Sequence, residues 1–155
     1  MEGNKVVPMP PDAAGDTAIW VPELGQRVSA DNPAALAPAG MVHCSIGDLA
    51  KYAAWHLRGA RGDGTLLKTS TFKKLHTRYK QDRNYACGWE VEYQVWAGGE
   101  AIHHGGSNGT FMTAMWLAPE KDFAVVVCAN AGGLHAQSVV NEAVDALIKE
   151  CLLKP

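Results

Sequence analysis

The stretch His104-Gly105-Gly106-Ser107-Asn108-Gly109-Thr110-Phe111 decides how the rest of this chain is read. Glycine inside a strand weakens it, so several together mark a place where a ligand or another backbone comes close. Ala101-Ile102-His103-His104 leads into the stretch with strand character, after a Gly98-Gly99 turn. Neighbouring side chains on a strand point to opposite faces. His103 and His104 therefore cannot both serve one small site, which argues against a two-histidine metal centre. One of them faces a cleft and the other faces core or solvent.

Working outward, Gly88 to Val95 alternates apolar and polar residues, as a half-exposed strand does. Phe111 to Leu117 reads as a strand, and Pro119-Glu120-Lys121-Asp122 as a hairpin connection. Phe123-Ala124-Val125-Val126-Val127-Cys128-Ala129 is almost wholly apolar, which predicts a strand covered on both faces. A last helix is predicted over 134–152, with Ala136, Val140, Ala143, Val144, Leu147 and Cys151 on one face. Upstream, Ser45 and Asp48 form a Ser-x-x-Asp variant of the capping box. Ile46, Leu49, Ala50, Ala53 and Leu57 follow at helical spacing. Trp55 lies on the other side near Lys51 and Arg58, either covering a neighbouring segment or standing as a surface aromatic. A second helix is predicted over 69–79. Strands joined by hairpin-length turns and flanked by helices give an α+β class, an antiparallel sheet with helices packed on it.

Six of the eight prolines fall in residues 1–40, so residues 1–37 read as an irregular Pro/Ala-rich arm and 38–155 as the folded domain. Fourteen basic residues against sixteen acidic ones, with no basic stripe, leave nucleic-acid binding without electrostatic footing. No apolar run approaches the roughly 18 residues a membrane helix needs. The N-terminus Met1-Glu2-Gly3-Asn4-Lys5 lacks the features of a signal peptide, so the chain reads as soluble. Cys44, Cys87, Cys128 and Cys151 are scattered, which is neither a zinc pattern nor a disulfide framework. Cys128 and Cys151 fall on apolar faces and are expected to be reduced, buried and structural. His43, His56 and His76 are expected as surface or core residues, His135 needs no special role at its helix start, and Trp89 is expected in the core. No metal and no cofactor is called for.

Taken in order, these segments resemble the C-terminal part of the serine β-lactamase and penicillin-binding-protein superfamily, over about residues 38–150. The matching pieces are Pro38-Ala39-Gly40-Met41, Ser45-x-x-Asp48-Leu49-Ala50-Lys51-Tyr52, Leu66-Leu67, Tyr85-x-x-Gly88-Trp89, His104-Gly105-Gly106 and Phe123–Ala129. The branch is the class C-like one, with D-aminopeptidases and esterases, where a His-x-Gly triplet often stands for Lys-Thr-Gly on the cleft strand. Members are often exported. The resemblance implies a catalytic role for His104, which would orient a substrate carboxylate or assist proton transfer. It also implies that the Ser107 backbone N–H is one half of an oxyanion hole, and that Gly105, Gly106 and Asn108 bind substrate. Asn130 is open to two readings, cleft residue or turn former.

The family's Ser-x-x-Lys nucleophile is not found where it belongs. Ser70-Thr71-Phe72-Lys73 matches the letters, but it sits at the second helix and short patterns recur by chance. The resemblance therefore implies part of a hydrolase acting on a β-lactam, D-amino-acid peptide or ester, inactive alone. The competing expectation is a non-catalytic ligand- or partner-binding module on the same fold. In the family the strand matching Phe123–Ala129 pairs with an N-terminal strand. The edge left here is thus expected to pair with a second copy or with a separate N-terminal fragment.

Overall fold

The computed structural model describes residues 18–21, 26–29, 32, 34–80 and 83–154. The chain divides into two units, Met1–Val42 and His43–Pro155. In the first, β1 (Ala18–Val21) and β2 (Gln26–Ser29) pair as an antiparallel hairpin, with Ile19 opposite Val28 and Trp20 opposite Arg27. A single 3₁₀ turn and a one-turn helix, α1 (Ala37–Gly40), follow. The hairpin departs from the irregular arm that the proline content suggests. Four-residue strands are too short to show a period against that background.

The second unit runs α2 (Ile46–Ala60), α3 (Thr69–His76), β3 (Glu90–Gln94), β4 (Gly99–Ser107), β5 (Met112–Ala118), β6 (Phe123–Ala129) and α4 (Gly133–Ile148). Its four strands form one antiparallel sheet in the order β3-β4-β5-β6. The expected α+β architecture is therefore present. Residues directly opposite across a ladder share a face. Ile102 opposite Leu117, and Met115 opposite Val126, put one apolar row beneath α2. There Ala53, Leu57, Trp89, Val91, Ile102, Met115 and Leu117 form a buried core. On the other face Ala114 and Val125 pack with Val140, Val144 and Ile148 of α4. So β6 is indeed covered on both faces.

Ser45 caps α2 by accepting the Asp48 N–H at 3.1 Å, and its hydroxyl donates to Asp48 Oδ2 at 2.8 Å. The apolar stripe of α2 outruns the sheet it covers. Ile46 is 57% exposed. With Gly47, Ala50, Ala53, Ala124 and Val126 it lines an open depression of about 330 Å³ beside β6. Trp55 takes the covering role, donating from Nε1 to the Thr65 carbonyl at 2.7 Å.

Several boundaries and burials depart from the sequence reading. The helix α3 stops at His76 instead of Tyr79, because Thr77 turns to extended backbone (φ −93°, ψ 128°). Arg78 then donates to the Val91 carbonyl at 3.0 Å and pairs with Glu100 at 2.9 Å. The helix α4 buries Ala136, Val140, Val144 and Ile148, leaves Leu147 39% exposed, and finishes as a π turn over Lys149–Leu153. That change of pitch rotates Cys151 off the apolar face. Cys128 lies near the end of β6 on the face that carries α2, past Val126, the last residue of that row to pack against the α2 core. Both cysteines are free and exposed, which corrects the expectation that they are buried. Among the described residues, no helix is long and apolar enough to cross a membrane.

Candidate active site

The strand β4 outruns its neighbour. Its partner β3 begins with Glu90, opposite His103, so among the described residues the only ladder from His104 to Ser107 is the one to β5. All four residues are exposed. A Cβ added at Gly106 would meet nothing within 4 Å, and one at Gly105 would meet only the Thr113 carbonyl oxygen at 3.7 Å. The result is a bare, one-sided margin of sheet that an extended chain or a flat acyl group can approach.

His104 stands opposite Met115, on the face that carries α2. Its ring lies 6.2 Å from that of Tyr85 in an edge-on arrangement. His103 takes the opposite face, stacked 3.7 Å from Trp116 with the rings 8° apart. Its Nε2 is 3.4 Å from Glu92 Oε1 without hydrogen-bond alignment. Burial lowers the His103 pKa, and Glu90 and Glu92 oppose that shift. The two adjacent histidines are thus divided between faces as strand geometry requires.

The loop after β4 is held from both sides. Ser107 Oγ accepts the Gly109 N–H at 3.1 Å. Asn108 Oδ1 accepts from Thr110 N at 3.1 Å, Phe111 N at 2.9 Å and Thr110 Oγ1 at 2.9 Å, an Asx-type turn. The Asn108 carbonyl oxygen is thereby committed to shaping the loop. From across, Gly132 presses so close that a Cβ there would lie 2.0 Å from the Gly109 oxygen.

Ser70 and Lys73 are both exposed on α3. Asn130 is exposed just past β6. Among the described residues, no group of three or more His, Cys, Asp or Glu side chains is placed to hold a metal ion. Sequence reasoning did not single out Tyr85 as a neighbour of His104. The signal was its place just ahead of β3, where it bridges to Glu90, the first residue of that strand.

A sheet of this order, with one helix layer on each face and a glycine-bare strand margin, defines the class of protein. The sequence model of the β-lactamase family matches residues 3–150, and the chain belongs to that family. The fold is similar to a structure described as the octameric penicillin-binding protein homologue from Pyrococcus abyssi (TM-score 0.55, 22% identity). The alignment covers 88% of this chain, which spans 32% of that protein's length. No curated protein sequence matches this chain.

Proposed function

We propose that this chain supplies the cleft-lining strand of a serine β-lactamase-like hydrolase, which transfers an acyl group to a serine and then to water. The substrate is a β-lactam, a D-amino-acid peptide or an ester. The observation that carries the reading is the bare margin of β4, exposed from His104 to Ser107 and paired, among the described residues, on one side only. In this reading His104 orients a substrate carboxylate or assists proton transfer, and Gly105 and Gly106 leave room for substrate backbone. The Ser107 N–H donates to the acyl oxygen as negative charge develops there, a contact whose loss typically costs about 10²–10³ in rate. Asn108 holds the turn that aims this amide. In this reading the nucleophilic serine comes from a segment other than these residues, because the one Ser-x-x-Lys match lies on α3, after α2, and not at the start of an N-terminal helix. NMR titration with N-acetyl-D-alanyl-D-alanine tests the reading. Shifts concentrated on the His104 imidazole and the Gly105–Ser107 amides are expected, and a flat response there overturns it. Fluorophosphonate should leave Ser70 unlabelled; stoichiometric labelling would overturn the assignment of the nucleophile.

The same reading gives the chain a partner. No described strand pairs with the outer edge of β6, and the depression lined by Ile46, Ala50, Ala124 and Val126 lies open beside it. The outer edge of β3 is guarded by contrast: Val91 N donates to the Asn84 carbonyl at 2.7 Å, and Arg78 lies along it. Open apolar edges are templates for strand addition. The β6 edge takes a strand from a second copy or from a separate N-terminal fragment, and the octameric state of the Pyrococcus abyssi homologue accords with association of copies. Light scattering checks this: a stable monomer at high concentration, unchanged by dilution, removes the self-pairing.

A further inference from the structure

Away from the β4 margin, His56 of α2 and His76 of α3 meet ring to ring. His56 Nδ1 and His76 Nε2 are 2.9 Å apart, and the residues are only 3% and 9% exposed. Four aromatic rings enclose them. Tyr52, Trp55 and Trp89 lie 4.5, 4.9 and 4.8 Å from the His56 ring, and Phe72 lies 5.6 Å away. The hydrogen-bond bookkeeping inside this cage is tight. A neutral pair carries one proton on the shared line and one on an outer nitrogen. His76 Nδ1, one of the two outer nitrogens, is buried without a partner among the described residues. One added proton leaves the shared N–H···N bond intact. A second places an N–H on both inner nitrogens, which destroys the bond and sets two cations face to face in an apolar cage.

This pair also fastens α3. The buried side chains of α3 are Phe72 and His76 alone. Phe72 sits in a socket made by Gly59 and Gly64, where an added Cβ would lie 2.3 Å from its ring in either case. Beyond α3, Cys87 N donates to the Leu75 carbonyl at 3.3 Å, and Ala86 N to the Trp89 carbonyl at 2.7 Å. The cage thus pins both α3 and the 86–89 turn, immediately after the Tyr85 that faces His104.

From this geometry we propose that the His56–His76 pair is an acid-sensitive latch, which holds α3 and the 86–89 turn at neutral pH and releases them together on double protonation. The titratable and charged neighbours do not offset the charge. From α2 the neighbour is the Tyr52 phenol, whose own pKa burial raises. From the 86–89 turn it is Trp89, since the Cys87 side chain is exposed. Beside His76, Arg78 and Glu100 line a cavity of about 530 Å³ and are paired with each other. Burial, reinforced at His56 by the neighbouring His76, holds both imidazoles down to about 4 in the closed form. The latch does not depend on the hydrolase reading.

Native-state hydrogen exchange by NMR on the full chain at pH 7 and pH 5, corrected for intrinsic rates, is the test. Two sites opening from about 4 to the ordinary 6.5 raise the opening constant roughly 500-fold between those values. The amides of α3 and of Cys87 are expected to show that rise, and at pH 5 to open at least tenfold more than the β5 amides. Unchanged protection at pH 5, or α3 opening only together with β5, overturns the latch. The double variant His56→Phe/His76→Phe should bring the pH ratio within a few-fold of one, and persistence of the full ratio also overturns it. Should that variant fail to fold, His56→Gln must reduce the two-proton dependence to one, and an undiminished slope counts equally against the proposal.

Discussion

At the scale of single residues, two glycines near the β4 margin do opposite jobs. Gly106 faces open space, so Gly106→Ala should fold with a stability change within about 0.5 kcal/mol while weakening the response of the Ser107 amide to an acyl ligand. Gly132 faces backbone, where nothing can give way by rotating a side chain. Gly132→Ala should therefore destabilise by about 1–3 kcal/mol in urea unfolding, from overpacking alone. A Gly132→Ala protein as stable as the parent would show that the loop contact yields. The sequence made the first glycine legible through its position two residues after His104. It could not mark the second, because the contact partner, Gly109, is brought near only by the turn that Asn108 shapes.

Elements were legible where a period or a cap was written over enough residues. The helix α2 shows this: its stripe and its Ser45 cap were both readable, and Ser45→Ala should cost about 1 kcal/mol, measured by thermal or urea unfolding. A cost near zero would mean that Asp48 alone holds the first turn. The histidine latch was half legible. Positions 49, 53, 56, 57 and 60 share one side of α2, and Phe72 and His76 are one turn apart on α3. The sequence reading left both histidines as surface or core residues; the structure buries them, and the 2.9 Å meeting between helices is a product of packing. The fate of the cysteines was hidden for a related reason. Apolar sequence neighbours say that Cys128 is in a strand, and only the reach of α2 over the sheet says that the cover on its face ends before reaching it.

For the molecule as a whole, the buried histidines fix the direction of its acid response. His56 and His76 are held at about 4 when folded against an ordinary 6.5, and His103 is lowered as well. Groups depressed in this way stay neutral in the fold and gain protons on unfolding. The contribution of His56 and His76 is complete above pH 6.5, declines as the pH falls through 6.5, and levels off near 4; that of His103 has the same sign. By pH 5 the contribution of each of the first two has shrunk by up to ~2 kcal/mol. Urea midpoints at pH 7.5, 6 and 5 should descend in that order, and a flat series would place the imidazoles in water. The first unit was the part the sequence concealed, since β1 and β2 have four residues each within a proline-rich background.

The sheet order β3-β4-β5-β6 has one more consequence, and it concerns how the domain is born. Spatial order repeats chain order, so every ladder is closed by a short local loop with little entropy to lose. A ribosome releases the N-terminal side first, so each strand after β3 is made directly after the one it pairs with. The helix α2 precedes all four strands, so the apolar stripe that it lays on β5 and β6 is made before the residues that cover it there.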